Sequence, residues 1–389
     1  MKPGEFDPIL LWEIQVEILS WLPVKTLMQF KCVCKSWKSL ISDDKSFEKL
    51  HLHRLTRNKH VLVSLIETGG PPVHYEEEQD HCHIPCPLRR LVENPSSMID
   101  EEDEWCSLKG TYRVIGSCNG LVCFHNIWDS YCGVSDTFWV RLWNPATRLW
   151  SNKSPSIITI YHSDFASFGF GYDHSRDTYK VVGIADYLSS LETVVYCKGD
   201  SGWRTISSKP GIGISLNGHY GHFASGCLNW LAYDELNQPD QNLLDIGRRA
   251  LVILSFDMCK ETYRALSLPE DISDVKTSLS VLGNCLCLFQ DRKGTHFDVW
   301  QMREYGVRES WTRLVSVSYE HLQCDGYMSY PRPLMCLSED GDILMLFENQ
   351  NRNVILYNLR DNSVKHIQLP DNKRWLNGYS YVQSLVSPY

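Results

Sequence analysis

Asn119-Gly120-Leu121-Val122-Cys123-Phe124 returns in altered form as Gly226-Cys227-Leu228-Asn229-Trp230-Leu231, Asn284-Cys285-Leu286-Cys287-Leu288-Phe289 and Asp342-Ile343-Leu344-Met345-Leu346-Phe347. Each copy is a turn residue leading into a short apolar run, the mark of a buried strand. A second strand and tight turn follow each time, at Leu142-Trp143-Asn144, Leu254-Ser255-Phe256-Asp257, Val299-Trp300-Gln301 and Leu356-Tyr357-Asn358. An aromatic residue then opens a further strand: Trp150, Trp203, Tyr263 and Trp311, spaced 53, 60 and 48 residues apart. Four strands at a period near ~50 residues predict an all-β propeller, whose blades stack radially and leave no long unpaired edge. Five units start near Tyr112, Ala166, Gly221, Thr277 and Pro333. Two strand-like pieces are left over, His60 to Leu65 and Tyr381 to Val386, and the economical arrangement joins them in a sixth blade closed by the C-terminal strand.

The composition suits this reading. The chain has 389 residues, 43% apolar and 22% charged, close to globular averages, and no apolar run approaches the ~18 residues of a membrane span. No secretory signal is evident in Met1 to Trp12, so an intracellular protein of the cytoplasm or nucleus is expected, without membrane contact. The 15 cysteines are scattered through apolar runs and read as reduced core residues. The net charge of −9 argues against a nucleic-acid backbone binder. It is concentrated in residues 61–110, which carry 3 Lys/Arg against 11 Asp/Glu, whereas residues 1–60 carry 10 against 7.

The first fifty residues follow a different period. Asp7-Pro8 can open a helix, by carboxylate capping and a pre-set proline, and Leu11, Ile14, Ile18, Leu19 and Leu22 then recur at helical spacing up to Pro23. A second short helix fits Val24 to Phe30 and a third Lys31 to Ile41. Three helices in so few residues make a core too small to stand alone, so this unit is expected to complete itself on a partner.

The runs Glu17-Ile18-Leu19-Ser20-Trp21-Leu22-Pro23-Val24-Lys25-Thr26-Leu27 and Phe30-Lys31-Cys32-Val33-Cys34-Lys35-Ser36-Trp37-Lys38-Ser39-Leu40-Ile41 resemble the plant F-box motif. Leu11-Trp12 stands where that family usually has Leu-Pro. The later region, with Ser117-Cys118-Asn119-Gly120-Leu121, Trp143-Asn144-Pro145, Ser255-Phe256-Asp257 and Tyr381-Val382-Gln383-Ser384-Leu385, is similar to the kelch-like domain associated with plant F-boxes, and the S-locus F-box receptors of pollen are a related subgroup. The resemblance divides the chain into an F-box at 7–50 and a propeller at 58–389. It implies docking on a Skp1-like adaptor, through it a link to cullin and RING subunits, and the role of substrate receptor in an SCF-type ubiquitin ligase. The implied adaptor contacts are Leu11, Ile14, Leu22, Pro23, Val24, Leu27, Val33, Cys34 and Trp37.

Catalytic signatures are missing: there is no Walker A loop, Gly-x-Ser-x-Gly elbow or His-Glu-x-x-His pair. No catalytic residue and no cofactor is therefore expected, and ubiquitin transfer would fall to the assembled complex. A propeller enzyme with a central-channel site, or an F-box scaffold outside any ligase, stays open. Gly169-Phe170-Gly171 and Gly211-Ile212-Gly213 read as turns. His81-Cys82-His83-Ile84-Pro85-Cys86 holds metal-ligand types at a spacing that fits no standard finger, so no metal is assigned. The acidic runs Glu76 to Asp80 and Asp100 to Glu104 read as solvated loops, or as an attraction for a basic target. Strand alternation sends the longest connections to one face. They bring Trp128, Tyr131, Tyr220, Tyr233, Arg248, Arg249, Tyr327 and Tyr330, residue types favoured at binding hot spots, toward an unidentified protein target.

Overall fold

The computed structural model describes residues 11–54, 59–67, 81–93, 112–126, 136–159, 165–187, 190–208, 214–216, 220–234, 250–270, 272, 277–292, 294–323, 334–338, 340–348, 354–367, 369 and 373–389. Helices α1 (Trp12–Leu19), α2 (Val24–Phe30), α3 (Lys35–Asp43) and α4 (Lys45–Arg54) come first. The helical module thus has four helices rather than three and runs past residue 50. Asp44 is the reason: its Oδ1 accepts from the backbone N–H groups of Ser46 and Phe47 at 2.8 and 3.0 Å and so starts α4 directly after α3. The first helix begins at Trp12; Asp7 and Pro8 lie outside the described residues. The third begins at Lys35 instead of Lys31, because Cys34 is its N-cap and takes the Trp37 N–H on Sγ at 3.5 Å. Among the described residues no helix is long and apolar enough to cross a membrane.

Strands make up most of the remainder. β1 (Lys59–Glu67), β2 (His81–Pro87) and the short helix α5 (Leu88–Glu93) precede the repeats. The first repeat holds β3 (Tyr112–Cys118), β4 (Leu121–Asn126), β5 (Asp136–Phe138), β6 (Val140–Asn144), β7 (Leu149–Trp150) and β8 (Ile157–Thr159); its sheet has the order β3-β4-β6-β7, with β5 and β8 paired beside it. Next come β9 (Phe165–Asp173), β10 (Thr178–Tyr187), β11 (Ser190–Cys197), β12 (Arg204–Ile206), β13 (Ile214–Leu216), β14 (Tyr220–Ala224), β15 (Cys227–Asp234), β16 (Ala250–Asp257) and β17 (Thr262–Leu266). These form one nine-stranded sheet: two antiparallel units of four joined where Tyr220-Gly221 runs parallel to Phe168-Gly169, with β13 paired to β15 as the ninth strand. β18 (Thr277–Leu282), β19 (Cys285–Arg292), β20 (His296–Met302) and β21 (Trp311–Ser318) make a four-stranded sheet, as do β22 (Leu334–Leu337), β23 (Ile343–Glu348), β24 (Val354–Asn358) and β25 (Ser363–Ile367). β26 (Lys373–Val382) pairs with β1 from the other end of the chain, in a sheet of order β2-β1-β26.

The joint between the two units is made by glycine. Added Cβ atoms would come within 2.8 Å of Leu228 at Gly169, 2.3 Å of Phe223 at Gly171 and 2.5 Å of Trp230 at Gly221. Gly169-Phe170-Gly171 is therefore strand interior and not a turn, a difference that only the neighbouring strand could reveal; 211–213 lie outside the described residues.

Three of the four repeated aromatics tie their own four-stranded unit to the unit before it. Trp203 Nε1 donates to Pro155 O at 2.8 Å, Trp311 Nε1 to Ser267 O at 3.1 Å, and the Tyr263 hydroxyl meets Thr193 Oγ1 at 2.8 Å. The repeated Asn or Asp closes the hairpin behind it. Asp257 Oδ1 takes the Cys259 and Lys260 N–H groups, Asn144 Oδ1 those of Ala146 and Thr147, and Asn358 Oδ1 that of Arg360. Each turn then exits through a left-handed residue: Arg148, Glu261 and Asn362, at φ of 61°, 55° and 58°.

The inner strands touch in the order β26, β3, β9, β14, β18, β22, and β22 touches β26 again. They line a cavity of about 1300 Å³ with Ser117, Ser278, Ser280, Asn377 and Tyr379 among its walls. At one end it meets Lys45, Glu48, Lys49, Leu52 and His53 of α4, together with the short turns at Asn119-Gly120 and Gly283-Asn284.

Sequence reading did not anticipate a fully buried lysine. Lys180 Nζ lies 2.6 Å from Asp173 Oδ2, 2.8 Å from Glu261 Oε1 and 2.8 Å from Met258 O, so one ammonium of β10 locks the turn that follows β16. Burial alone would raise the Asp173 pKa, but hydrogen bonds from Lys180 and Ser175 hold the carboxyl well below its usual range. Lys180→Met would leave the buried Asp173 carboxylate without its cation, while Glu261 keeps Arg204 at 2.9 Å, and is expected to cost about 3–5 kcal/mol. Chemical unfolding checks this, and a variant as stable as the parent would show that the lysine does not hold the two units together.

Candidate functional site

Two apolar stripes run along α1 and face opposite ways. Leu19, with half-buried Val16 and Leu22, turns inward to a core of Val24, Leu27, Leu40, Ile41 and Phe47. Leu11, Ile14, Ile18 and Trp21 turn outward, exposed by 64, 44, 50 and 57%, and Val33, on the turn before α3, by 61%. Trp12 is also exposed. Among the described residues, most large exposed apolar side chains lie in this one small module, and an apolar patch of this kind marks an interaction surface.

Polar contacts fix the shape of the surface. Trp37 Nε1 donates to Gln15 Oε1 at 2.9 Å, and its ring packs on Phe30 at 5.3 Å, which ties α3 to α1 and α2. The Arg54 guanidinium lies 4.8 Å from the Trp21 ring centre and pairs with Glu17 Oε2 at 2.7 Å, while Trp21 Nε1 donates to Glu17 Oε1 at 3.2 Å. Hydrogen bonds from Arg54 and then Trp21 hold the Glu17 carboxyl below its ordinary pKa. His51 is fully buried, and its Nε2 lies 2.9 Å from Leu22 O, pinning the Leu22-Pro23 corner.

Of the predicted adaptor contacts, Leu11, Ile14, Pro23, Val33 and Cys34 are exposed, and Leu22 and Trp37 are half-buried. Val24 and Leu27 are fully buried in the folded module. In so small a unit the inward side of α2 is needed for its own core. Ile18 and Trp21 belong with the exposed set. Spacing of three and four marked apolar positions on α1 but did not divide them into an inner and an outer stripe.

The predicted target contacts are less gathered. The Tyr220 hydroxyl hydrogen-bonds His125 Nε2 at 2.8 Å at the start of β14, and Tyr233 stands on β15 between Ser215 and Leu251; both are strand residues rather than loop tips. Trp128, Tyr131, Arg248, Arg249, Tyr327 and Tyr330 lie outside the described residues, as do both acidic runs. The His81–Cys86 stretch is a strand, and alternation divides it. His83 faces Phe124 and accepts or donates to Ser64 Oγ at 2.7 Å, whereas Cys82 and Cys86 enter a separate apolar core with Ile84. Among the described residues no group of three or more metal-ligating side chains occurs.

Residues 10–49 match the F-box domain, and residues 88–388 match the F-box associated beta propeller domain. The chain belongs to the plant F-box protein family. This F-box protein is 28% identical over 387 residues to an F-box/kelch-repeat protein of Arabidopsis thaliana, covering 97% of this chain and 95% of the relative. It is 25% identical to the Arabidopsis F-box protein CPR1, over 96% of this chain and 88% of that one. A putative F-box protein of the same plant is 31% identical over 76% of this chain and 60% of its own length. The F-box of the present protein is the four-helix module, and its outward stripe is the surface that the fold leaves uncovered.

Burial lowers the His51 pKa, so the folded F-box prefers the neutral imidazole. The unfolded chain takes up a proton near pH ~6.5 that the folded one resists, so stability is full above that value and falls as pH drops below it. F-box melting is expected to fall from pH 7 to pH 5, and His51→Gln should flatten the dependence. An equal slope in the variant would assign it to other groups.

Proposed function

We propose that this F-box protein is the target-binding subunit of an SCF-type ubiquitin ligase. The outward stripe of Leu11, Ile14, Ile18 and Trp21, with Val33, carries the reading: these side chains give up water only on a partner, and a Skp1-like adaptor is the partner that an F-box implies. Cullin and RING subunits join through that adaptor. The chain itself supplies proximity and orientation to a reaction carried out elsewhere in the complex, in the cytoplasm or nucleus. The cavity's charged groups fit a non-catalytic role, since Glu48 and Asp177 at its α4 end are paired with Lys45 and Lys49 at 3.1 and 2.7 Å.

The β domain reads as six blades closed by β1 against β26, the inner strands following one another round the cavity. In that arrangement the short turns, Asn144 to Arg148 and Asp173 to Asp177 among them, share the end that α4 occupies. The opposite strand ends, Asn126 and Asp234 among them, stand at the other end, which is the end we assign to the protein target.

Ile14→Ser with Ile18→Ser is expected to abolish copurification of a Skp1-like protein, since buried interface anchors are worth about 2–4 kcal/mol each, while leaving the melting profile unchanged. Undiminished copurification sinks the reading. Adaptor capture without cullin recruitment would favour a scaffold instead. Ending the chain at Leu376 removes most of β26 and exposes the β1 edge, so aggregated or protease-sensitive protein is expected. A soluble, equally resistant truncation would argue for an open ring.

A further inference from the structure

Leu385 and Val386 are adjacent in sequence and enter different cores. Leu385, 7% exposed, packs in the F-box with Leu19, Val24, Leu27 and Phe47, and Val386, 3% exposed, packs in the β domain with Cys118, Leu121, Phe170 and Tyr179. Neighbouring residues of an extended chain point to opposite sides, so a single dipeptide can serve two cores at once. Its backbone is held on both sides. The fully buried Asn144 donates through Nδ2 to Ser384 O at 3.0 Å and Val386 O at 2.8 Å. Ser387 reaches both units, accepting from Lys198 Nζ at 2.6 Å and donating its N–H to Glu48 Oε2 of α4 at 3.4 Å. Gly120, at φ +86°, lies so close that an added Cβ would stand 2.1 Å from Ser384 Oγ.

Direct contact between the two units is thinner. Lys49 pairs with Asp177 at 2.7 Å, but the side chains are 56 and 54% exposed, and such pairs contribute about 0–1 kcal/mol. Leu52 and Ala146 add half-buried apolar contact from either side.

We propose that Ser384–Ser387 is a clamp that fixes the F-box on the short-turn end of the β domain and so holds the adaptor surface at a set position relative to the opposite end. The clamp itself stands without the ligase reading. Only its use, presenting a target at a fixed distance from the ubiquitin-bearing subunits, rests on that reading. Leu385 is then a positioning residue: it acts on the geometry of the complex and touches neither adaptor nor target.

The test measures orientation, which a purely stabilising role would not move. Spin labels on noncanonical residues at Ser42 of the F-box and Lys260 of the β domain, both exposed, report the distance between the units in the full chain by double electron–electron resonance. Wild type should give one narrow distribution. Leu385→Ser should widen it about twofold or more, because linked units move freely unless their interface is large and apolar, with adaptor copurification and β-domain melting preserved. Ala146→Asp places a charge in the joint without entering the β core and should widen it likewise, so it decides the matter if Leu385→Ser does not fold. Asp177→Asn should leave the width unchanged. Wild-type width in the folded clamp variants, or equal widening by Asp177→Asn, overturns the clamp. A wild-type chain that captures no Skp1-like adaptor overturns the ligase reading and leaves the distance comparison intact.

Discussion

Asn144 is a fully buried amide whose hydrogen bonds serve two distant stretches of the chain at once. Its Oδ1 closes the turn after β6, and its Nδ2 holds the carbonyls of Ser384 and Val386. An amide in a dry interior must find partners for both its oxygen and its nitrogen, and here the last residues of the chain supply those of the nitrogen. The consequences run outward from that point. β26 is held against β1 and β3, the helical module gains Leu385, and α4 comes to lie beside the inner-strand turns. Among the described residues the first β strand pairs with the last.

Between sheets the same two devices recur. An aromatic at the start of the outer strand reaches back to the preceding unit, and an Asn or Asp after the third strand folds the backbone over. The devices belong to different levels: the Asx turn is local and works in any hairpin, whereas the aromatic is useful only once a neighbouring sheet presents a carbonyl or hydroxyl. Lys180 adds to the pattern, joining β10 to the turn after β16 by charge beside the Tyr263–Thr193 contact between the same two units. A buried ion pair of this kind adds little net stability over apolar packing, but it is costly to break, and so it fixes the relative position of the two units.

The F-box faces a problem of size. Four short helices bury Leu19, Val24, Leu27, Leu40, Ile41 and Phe47, and the module still borrows Leu385 from the far end of the chain. With its inward positions spent, the remaining apolar side chains of α1 have nowhere to go but outward. Exposure of Ile14, Ile18 and Trp21 is the complement of that small core, and the Arg54–Glu17 pair holds Trp21 in place at its margin.

Periodicity alone determined that helices precede strands, that the strands come in repeating units starting near residues 112, 166, 221, 277 and 333, and that Val24 to Phe30 is helical; the observed strands start at 112, 165, 220, 277 and 334. Spacing and turn chemistry act within a few residues, so they are written legibly in the chain. Legibility ended wherever a partner lay far off in sequence. Val24 and Leu27 look like surface candidates until α3 and α4 fold over them, Gly169 looks like a turn until Leu228 and Trp230 press against it, and Lys180 looks exposed until Asp173 and Glu261 enclose it. Alternation along β2 separates histidines from cysteines that stand side by side in the sequence. Burial is a property of neighbours, and in this protein the deciding neighbours stand as far apart as Asn144 and Val386, so the tertiary structure settled which residues face inward and which remain for a partner.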